Sequence, residues 1–331
     1  MLNTFLLTAA LAAPASFADR SALQKELNTI AATSDGKVGV CALETLEAEP
    51  VCVRGAESFP LQSVMKFIVS AVVLNEVDQN KLKLTDIIRI RPEDNSPGPQ
   101  EFADLVRAKG EYPATIEELM FRSIVDSDST SVDVLLQRIV GLAKVQDFLK
   151  QRKVEGLRID RNERDLQSEF SGLKWQPFYA AAGKFEAAVN AAPPAQKDKA
   201  LEAYLKDPRD TSTPAAMVKF LKRLAAGELL SAASTQKLLS IMEQTVTGKD
   251  RLRAGLPQSW KIAHKTGTSA SWRGRAATTN DVGIMTAPDG TTVAIAVFIA
   301  DSKQSSSDRG AIIAKAARAV TAAIQGSRQK S

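Results

Sequence analysis

Ser63 and Lys66 lie three residues apart in Leu61-Gln62-Ser63-Val64-Met65-Lys66-Phe67-Ile68-Val69, an apolar run that reads as a helix start continuing to Leu74. That spacing puts both side chains on one helix face. First-turn N–H groups lack intrahelical acceptors, and with the positive end of the macrodipole they favour negative charge developing on Ser63. A lysine in apolar surroundings gives up its proton more readily than one in water, and could then take the serine proton. The pair could therefore make a nucleophile without histidine. Ser-x-x-Lys recurs at Ser34/Lys37, Ser171/Lys174, Ser234/Lys237 and Ser327/Lys330, where an N-cap serine and a solvated lysine are account enough. What sets Ser63 apart is a lysine embedded in an apolar run.

His264 is the one histidine, and no Gly-x-Ser-x-Gly elbow accompanies it. A serine–histidine–acid triad thus lacks support, and His264 reads as a strand residue near a sheet edge. It precedes Lys265-Thr266-Gly267-Thr268-Ser269. The glycine would let a ligand approach the strand backbone, while the lysine and hydroxyls suit a carboxylate. An ordinary edge strand is the alternative. Ser127-Asp128-Ser129-Thr130-Ser131 lies between two apolar helical patterns and, taken alone, reads as a turn and N-cap. Residues 161–167 are polar with little periodicity and read as loop.

The elements that must position these groups come from both ends of the chain. Residues 21–34 form an amphipathic helix on Leu23, Leu27, Ile30 and Ala31. A hairpin follows over 38–43 and 51–54, carrying Cys41 and Cys52, the two cysteines. Facing each other, they would close a short loop worth about 2–3 kcal/mol; two buried thiols are the alternative. Thr115 to Glu118 has capping-box character and starts a helix, and 132–140 is helical again. Helices are expected over 178–190 and 196–206, hinged at Pro193-Pro194, then from Pro214 through Leu224 and over 234–243. Strands are expected over 260–263, 278–287 and 291–300, then a last helix from about Ser306. The fold class is α/β (α+β), with residues 19–62 and 211–331 in one unit and a mostly helical 63–210.

The chain has 331 residues, 44% hydrophobic and 24% charged, which is the balance of a soluble globular protein. Its net charge of +5 is dispersed, and its arginine pairs lack an aromatic platform, which argues against nucleic acid. Two cysteines and one histidine without ligand spacing argue against zinc. Residues 5–13 are apolar but too short to span a bilayer, and Ser16-Phe17-Ala18 offers small residues for cleavage before Asp19. Residues 1–18 read as a signal peptide, although its start lacks Lys and Arg. No cysteine stands directly after the cleavage site, where Asp19 lies, and no later stretch reaches 18 apolar residues. The protein is expected to be exported, periplasmic or secreted, without a membrane anchor.

Taken together, Ser63-x-x-Lys66, Ser127-Asp128-Ser129, Glu163 and Lys265-Thr266-Gly267 resemble the class A serine β-lactamases. Residues 247–252, 263–269 and 277–283 look like the PER-type, extended-spectrum branch. The resemblance implies a five-stranded antiparallel sheet flanked by helices, an all-helical domain against it, and an active site between. It implies a hydrolase acting on the cyclic amide C–N bond of penicillins and, on the PER-like stretches, cephalosporins. It also implies a monomer that needs no metal or other cofactor. Ser63 would form an acyl-enzyme, with the oxyanion held by the N–H groups of Ser63 and Thr268. Lys66 and Glu163 would share proton transfer, Ser127 would pass a proton to the lactam nitrogen, and Glu163 would activate the deacylating water. Lys265, Thr266 and Thr268 would face the substrate carboxylate.

Three departures stand out. The family usually has asparagine at Ser129, which puts a contact to substrate and Lys66 in doubt. Gln167 replaces an asparagine that helps hold the deacylation water. Glu163 and Asp210 are 47 residues apart, about 34 more than the family's spacing, with the excess at about 174–207. Arg161 and Asp210 are still expected to close the base of this loop as an ion pair. A penicillin-binding DD-peptidase and a non-hydrolysing β-lactam sensor are the competing readings.

Overall fold

The computed structural model describes residues 17–98 and 100–328. The leader read over 1–18 falls outside them except for Phe17 and Ala18, which pack against the last helix.

Alternating strands from both chain ends build one antiparallel sheet. Its order is Val51–Val53, Lys37–Glu44, Thr292–Ser302, Arg275–Thr286, Lys261–Thr268. These five strands match the expected sheet, and a short sixth, Ser271–Trp272, folds back on Arg275–Thr286. Successive side chains of a strand point to opposite faces. Val293, Ile295, Val297 and Ile299 accordingly meet the first helix, Arg20–Ala31, and the last, Ser306–Arg328. Ala294, Ala296 and Phe298 face the helical part instead, where Phe298 stacks on Phe59 at 5.7 Å between centroids. Cys41 sits directly opposite Cys52, Cα atoms 4.2 Å apart, and the two form a disulfide.

The helix Met65–Asp78 runs through the middle of the helical part, and every residue from Met65 to Glu76 is buried. A helix enclosed on all sides needs no polar face, which is why its sequence is mostly apolar, with Lys66 and Ser70 the polar residues of its first half. Among the described residues no helix is long and apolar enough to cross a membrane.

Three expectations need correcting. Residues 161–167 are not a loop throughout, because a helix, Glu163–Phe170, starts at Glu163 with the Asn162 side chain accepting from the Asp165 N–H. Its inner face carries Glu163 and Ser168 beside Leu166 and Phe170, so a single apolar i,i+4 pair is all that marked it. The helix expected over 178–190 is broken: a 3-10 turn covers Pro177–Ala180, Gly183 takes φ +71°, and a helix restarts over Lys184–Ala191. Only glycine enters that left-handed region readily. The strand expected over 260–263 continues to Thr268 through the buried polar residues His264 and Lys265.

Candidate active site

Ser63 lies in a 3-10 turn, Gln62–Val64, that leads into the Met65–Asp78 helix. Two features pin this turn to the sheet. Asn280 Nδ2 donates to the carbonyls of Pro60 (2.8 Å) and Leu61 (3.1 Å). Gly267 supplies the second: a methyl there would lie 2.3 Å from the Leu61 carbonyl oxygen and 3.2 Å from the Val64 nitrogen. The glycine was expected to open the strand to a ligand, but the nucleophile turn occupies the space beside its Cα. Gln62 holds a left-handed φ of +48°, a strained conformation for a residue with a side chain.

Lys66 is fully buried. Its Nζ donates to the Ser127 carbonyl (2.6 Å) and the Ser129 hydroxyl (3.0 Å) and pairs with Glu163 Oε1 (3.1 Å). Three acceptors satisfy the three N–H bonds of an ammonium. The Ser63 hydroxyl faces Glu163 Oε1 at 3.5 Å, the outer limit of a hydrogen bond. Glu163 Oε1 thus lies between the Ser63 hydroxyl and the Lys66 ammonium. Ser129, despite replacing asparagine, keeps the contact to Lys66.

Ser127 adopts φ +61° and joins the two lysines, since its carbonyl accepts from Lys66 and its hydroxyl from Lys265 Nζ at 2.9 Å. Asp128 caps the following helix, Ser129–Val134, by accepting from the Ser131 N–H. The turn-and-cap reading and the functional one thus describe the same residues.

Glu163 is fully buried. Burial pushes its carboxyl up, but the Lys66 ammonium and the Gln167 amide outweigh this and hold it below the ordinary glutamate range. Gln167 Nε2 donates to Glu163 Oε2 at 2.9 Å. Asp133 holds the start of the helix by accepting the N–H groups of Glu163 (2.7 Å) and Arg164 (3.0 Å). Lys265, equally buried, is pushed well below the ordinary lysine range by burial first and by the Lys66 charge second.

At the far end of the strand, the Thr266 hydroxyl meets that of Thr247 at 2.7 Å, and Thr268 Oγ1 accepts from Arg251 at 2.8 Å. Arg251 also donates to the Asn280 carbonyl and is buried. In the sequence it stands as half of the dispersed pair Arg251/Arg253, although it lies in the 247–252 stretch that carries part of the resemblance. His264 is buried in the same strand, with Nδ1 2.8 Å from Asp281 Oδ1.

The long loop closes at its base. Arg161 Nε donates to Asp210 Oδ2 at 2.6 Å, and the N–H groups of Asp160 and Arg161 donate to Asp210 Oδ1. A cavity of about 730 Å³ opens beside Ser63, Ser127, Ser129, Gln167 and Thr268, and Phe185 and Val189 of the insert form part of its wall.

The profile of the β-lactamase enzyme family matches residues 22–324. β-Lactamase VEB-1 of Pseudomonas aeruginosa is 30% identical over 302 residues, covering 89% of this chain and 88% of that protein. The extended-spectrum β-lactamase PER-1 of the same organism is 28% identical over 301 residues, covering 89% and 85%. The structure of an ancestral (GNCA) class A β-lactamase matches with a TM-score of 0.72 at 32% identity, over 91% of this chain and 99% of that one. With this likeness running from the first helix to the last, the chain belongs to the β-lactamase enzyme family and to its class A.

Proposed function

We propose that the protein hydrolyses β-lactams through a Ser63 acyl-enzyme that is released by water activated at Glu163. Ser63 Oγ attacks the lactam carbonyl while its proton passes to the Lys66–Glu163 pair, whose carboxylate lies 3.5 Å from the hydroxyl and 3.1 Å from the Lys66 nitrogen, so that Lys66 can still serve when Glu163 is removed. The N–H groups of Ser63 and Thr268 hold the oxyanion, each such donor being worth about 3–4 kcal/mol. Ser127, placed between Lys66 and Lys265, gives its hydroxyl proton to the lactam nitrogen as the C–N bond breaks and regains one from the Lys66–Glu163 pair, which leaves Glu163 ionised for the deacylating water. Lys265, Thr266, Thr268 and Arg251 receive the substrate carboxylate. Penicillins and cephalosporins share the groups these residues address.

The observation that carries the reading is the buried carboxylate of Glu163, hydrogen-bonded by Gln167 and facing Ser63. A DD-peptidase or a sensor stops at the acyl-enzyme and needs no such base. The apolar leader supports export to the periplasm or medium, and the protein is proposed to act as a monomer without a cofactor.

Hydrolysis of a chromogenic cephalosporin by the wild type, Ser63→Ala and Glu163→Ala tests the mechanism. Steady turnover is expected from the first, none from the second, and an acylation burst from the third. A wild type that gives one burst and stops would move the assignment to the peptidase or sensor.

A further inference from the structure

We propose that Tyr204, on the second helix of the insert, is a positioning residue for Glu163, acting through Gln62 and Gln167. The inference rests on the hydrolytic reading above and makes the inserted segment part of the deacylation machinery.

The contacts form a directed chain. Gln62 Nε2 donates to the Tyr204 hydroxyl oxygen at 2.6 Å. Gln167 Nε2 donates both to Gln62 Oε1 at 3.0 Å and to Glu163 Oε2 at 2.9 Å. The ionised carboxylate fixes every link. It can only accept, so Gln167 must turn its amide N–H groups inward, and Gln62 must then offer its carbonyl to Gln167. The Gln62 N–H group is left pointing at Tyr204, whose oxygen accepts it.

Each member is also held mechanically. Gln62 is fully buried at its left-handed φ, next to the nucleophile. Tyr204 is buried, with its ring edge-on to Phe170 of the Glu163 helix at 5.1 Å between centroids. Its own helix, Pro194–Lys206, is fastened to the sheet edge where Trp272 Nε1 donates to Asp198 Oδ1 at 2.7 Å. Without the phenol oxygen, the buried Gln62 Nε2 has no hydrogen-bond acceptor among the described residues. Its amide can then rotate and meet Gln167 donor to donor, which loosens the hold on Glu163.

Pre-steady-state kinetics of Tyr204→Phe with a chromogenic cephalosporin test the proposal. Deacylation should slow by about three- to ten-fold with acylation little changed, so that kcat and KM fall together. The acid limb of the kcat profile should move to higher pH, because Glu163 loses support for its ionised form. Wild-type deacylation and an unmoved acid limb in Tyr204→Phe would overturn the proposal. Asp198→Ala loosens the helix while leaving the amide chain intact, and should keep the wild-type ratio of deacylation to acylation. An equal shift in that variant would assign the effect to docking and remove Tyr204 from the role. Should Tyr204→Phe fail to fold, Gln62→Met breaks the chain one link closer and should slow deacylation in the same way. Steady turnover by the wild type, absent in Ser63→Ala, secures the underlying reading independently; without it the hydrolytic reading falls, and this inference with it.

Discussion

The two sides of the cleft are held by different forces. The Met65–Asp78 helix is enclosed by apolar side chains, including the edge-to-face pair Phe67–Phe220 at 5.8 Å. The loop over 161–210 is held at its base by directed polar contacts: Asp210 on Arg161, Asp133 on the Glu163 and Arg164 amides, and Gln62 on Tyr204. Apolar burial is non-directional and pH-independent, whereas a buried polar contact fails outright when one partner is removed. On the proposed mechanism the nucleophile and Lys66 sit on the first side and the water-activating carboxylate on the second. The two half-reactions should therefore separate under mutation.

The largest separation is expected from Phe67→Ala set against Asp210→Ala. The first empties a core position and should lower global stability by about 3–5 kcal/mol. The folded fraction should keep the wild-type ratio of deacylation to acylation. The second takes from Arg161 its one fully buried carboxylate partner, leaving the more exposed Glu169 and Asp207, and strips the acceptor from two backbone N–H groups. Removing one partner of a buried pair costs about 3–5 kcal/mol, and here the loss should appear as local opening of the loop. An acylation burst followed by turnover slowed about 100-fold or more, with a smaller loss of thermal stability than in Phe67→Ala, is the expected outcome. Normal deacylation in Asp210→Ala would refute the division.

Gly267→Ala attacks the seam between the nucleophile turn and the sheet. Its methyl meets the Leu61 carbonyl and the Val64 nitrogen, both backbone atoms that cannot rotate away. Overpacking of this kind costs about 1–3 kcal/mol, and the displaced turn carries Ser63. Acylation should fall while deacylation of the preformed acyl-enzyme stays near wild type, the reverse of Asp210→Ala. Single-turnover measurements of both steps decide it.

The same division explains what could be read from the sequence. Lys66 stood out because a charge inside an apolar run needs a partner, and the strand expected over 291–300, observed over Thr292–Ser302, stood out because alternate residues serve two cores. The Glu163 helix was hidden, since its inner face holds Glu163 and Ser168 where a core helix would hold apolar side chains. The strand through Lys265 was cut short for the same reason. Pairing of Cys41 with Cys52 depended on cross-strand register, which spacing alone left open. Gln62 and Tyr204 are 142 residues apart, and neither carries a motif, so only the fold brings them together. Asp133 and Arg251 passed unread as ordinary charged residues.

The smallest expected effect separates two neighbouring carboxyls on the polar side. Burial pushes Asp133 up to about 7, with the Glu163 charge adding to the rise and the Ser96 hydroxyl, the Glu163 amide and Arg164 opposing it. Glu163 is displaced the other way. Between the ordinary aspartate value of 3.8 and about 7, the folded protein holds a proton on Asp133 that the unfolded chain has lost. The stability this proton confers is complete below that window and drains away as pH rises through it. Glu163, with its folded value depressed, contributes stability above the ordinary glutamate range and loses it only as pH falls below that range. Asp133→Asn keeps a neutral acceptor for the Glu163 amide and can donate to Ser96, while the Arg164 N–H loses its partner. Its denaturation midpoint should therefore change less than that of the wild type between about pH 5 and about pH 7, with hydrolysis retained. If the two proteins show the same slope, Asp133 is already ionised across that range, and the loop is held by a full charge rather than by a shared proton.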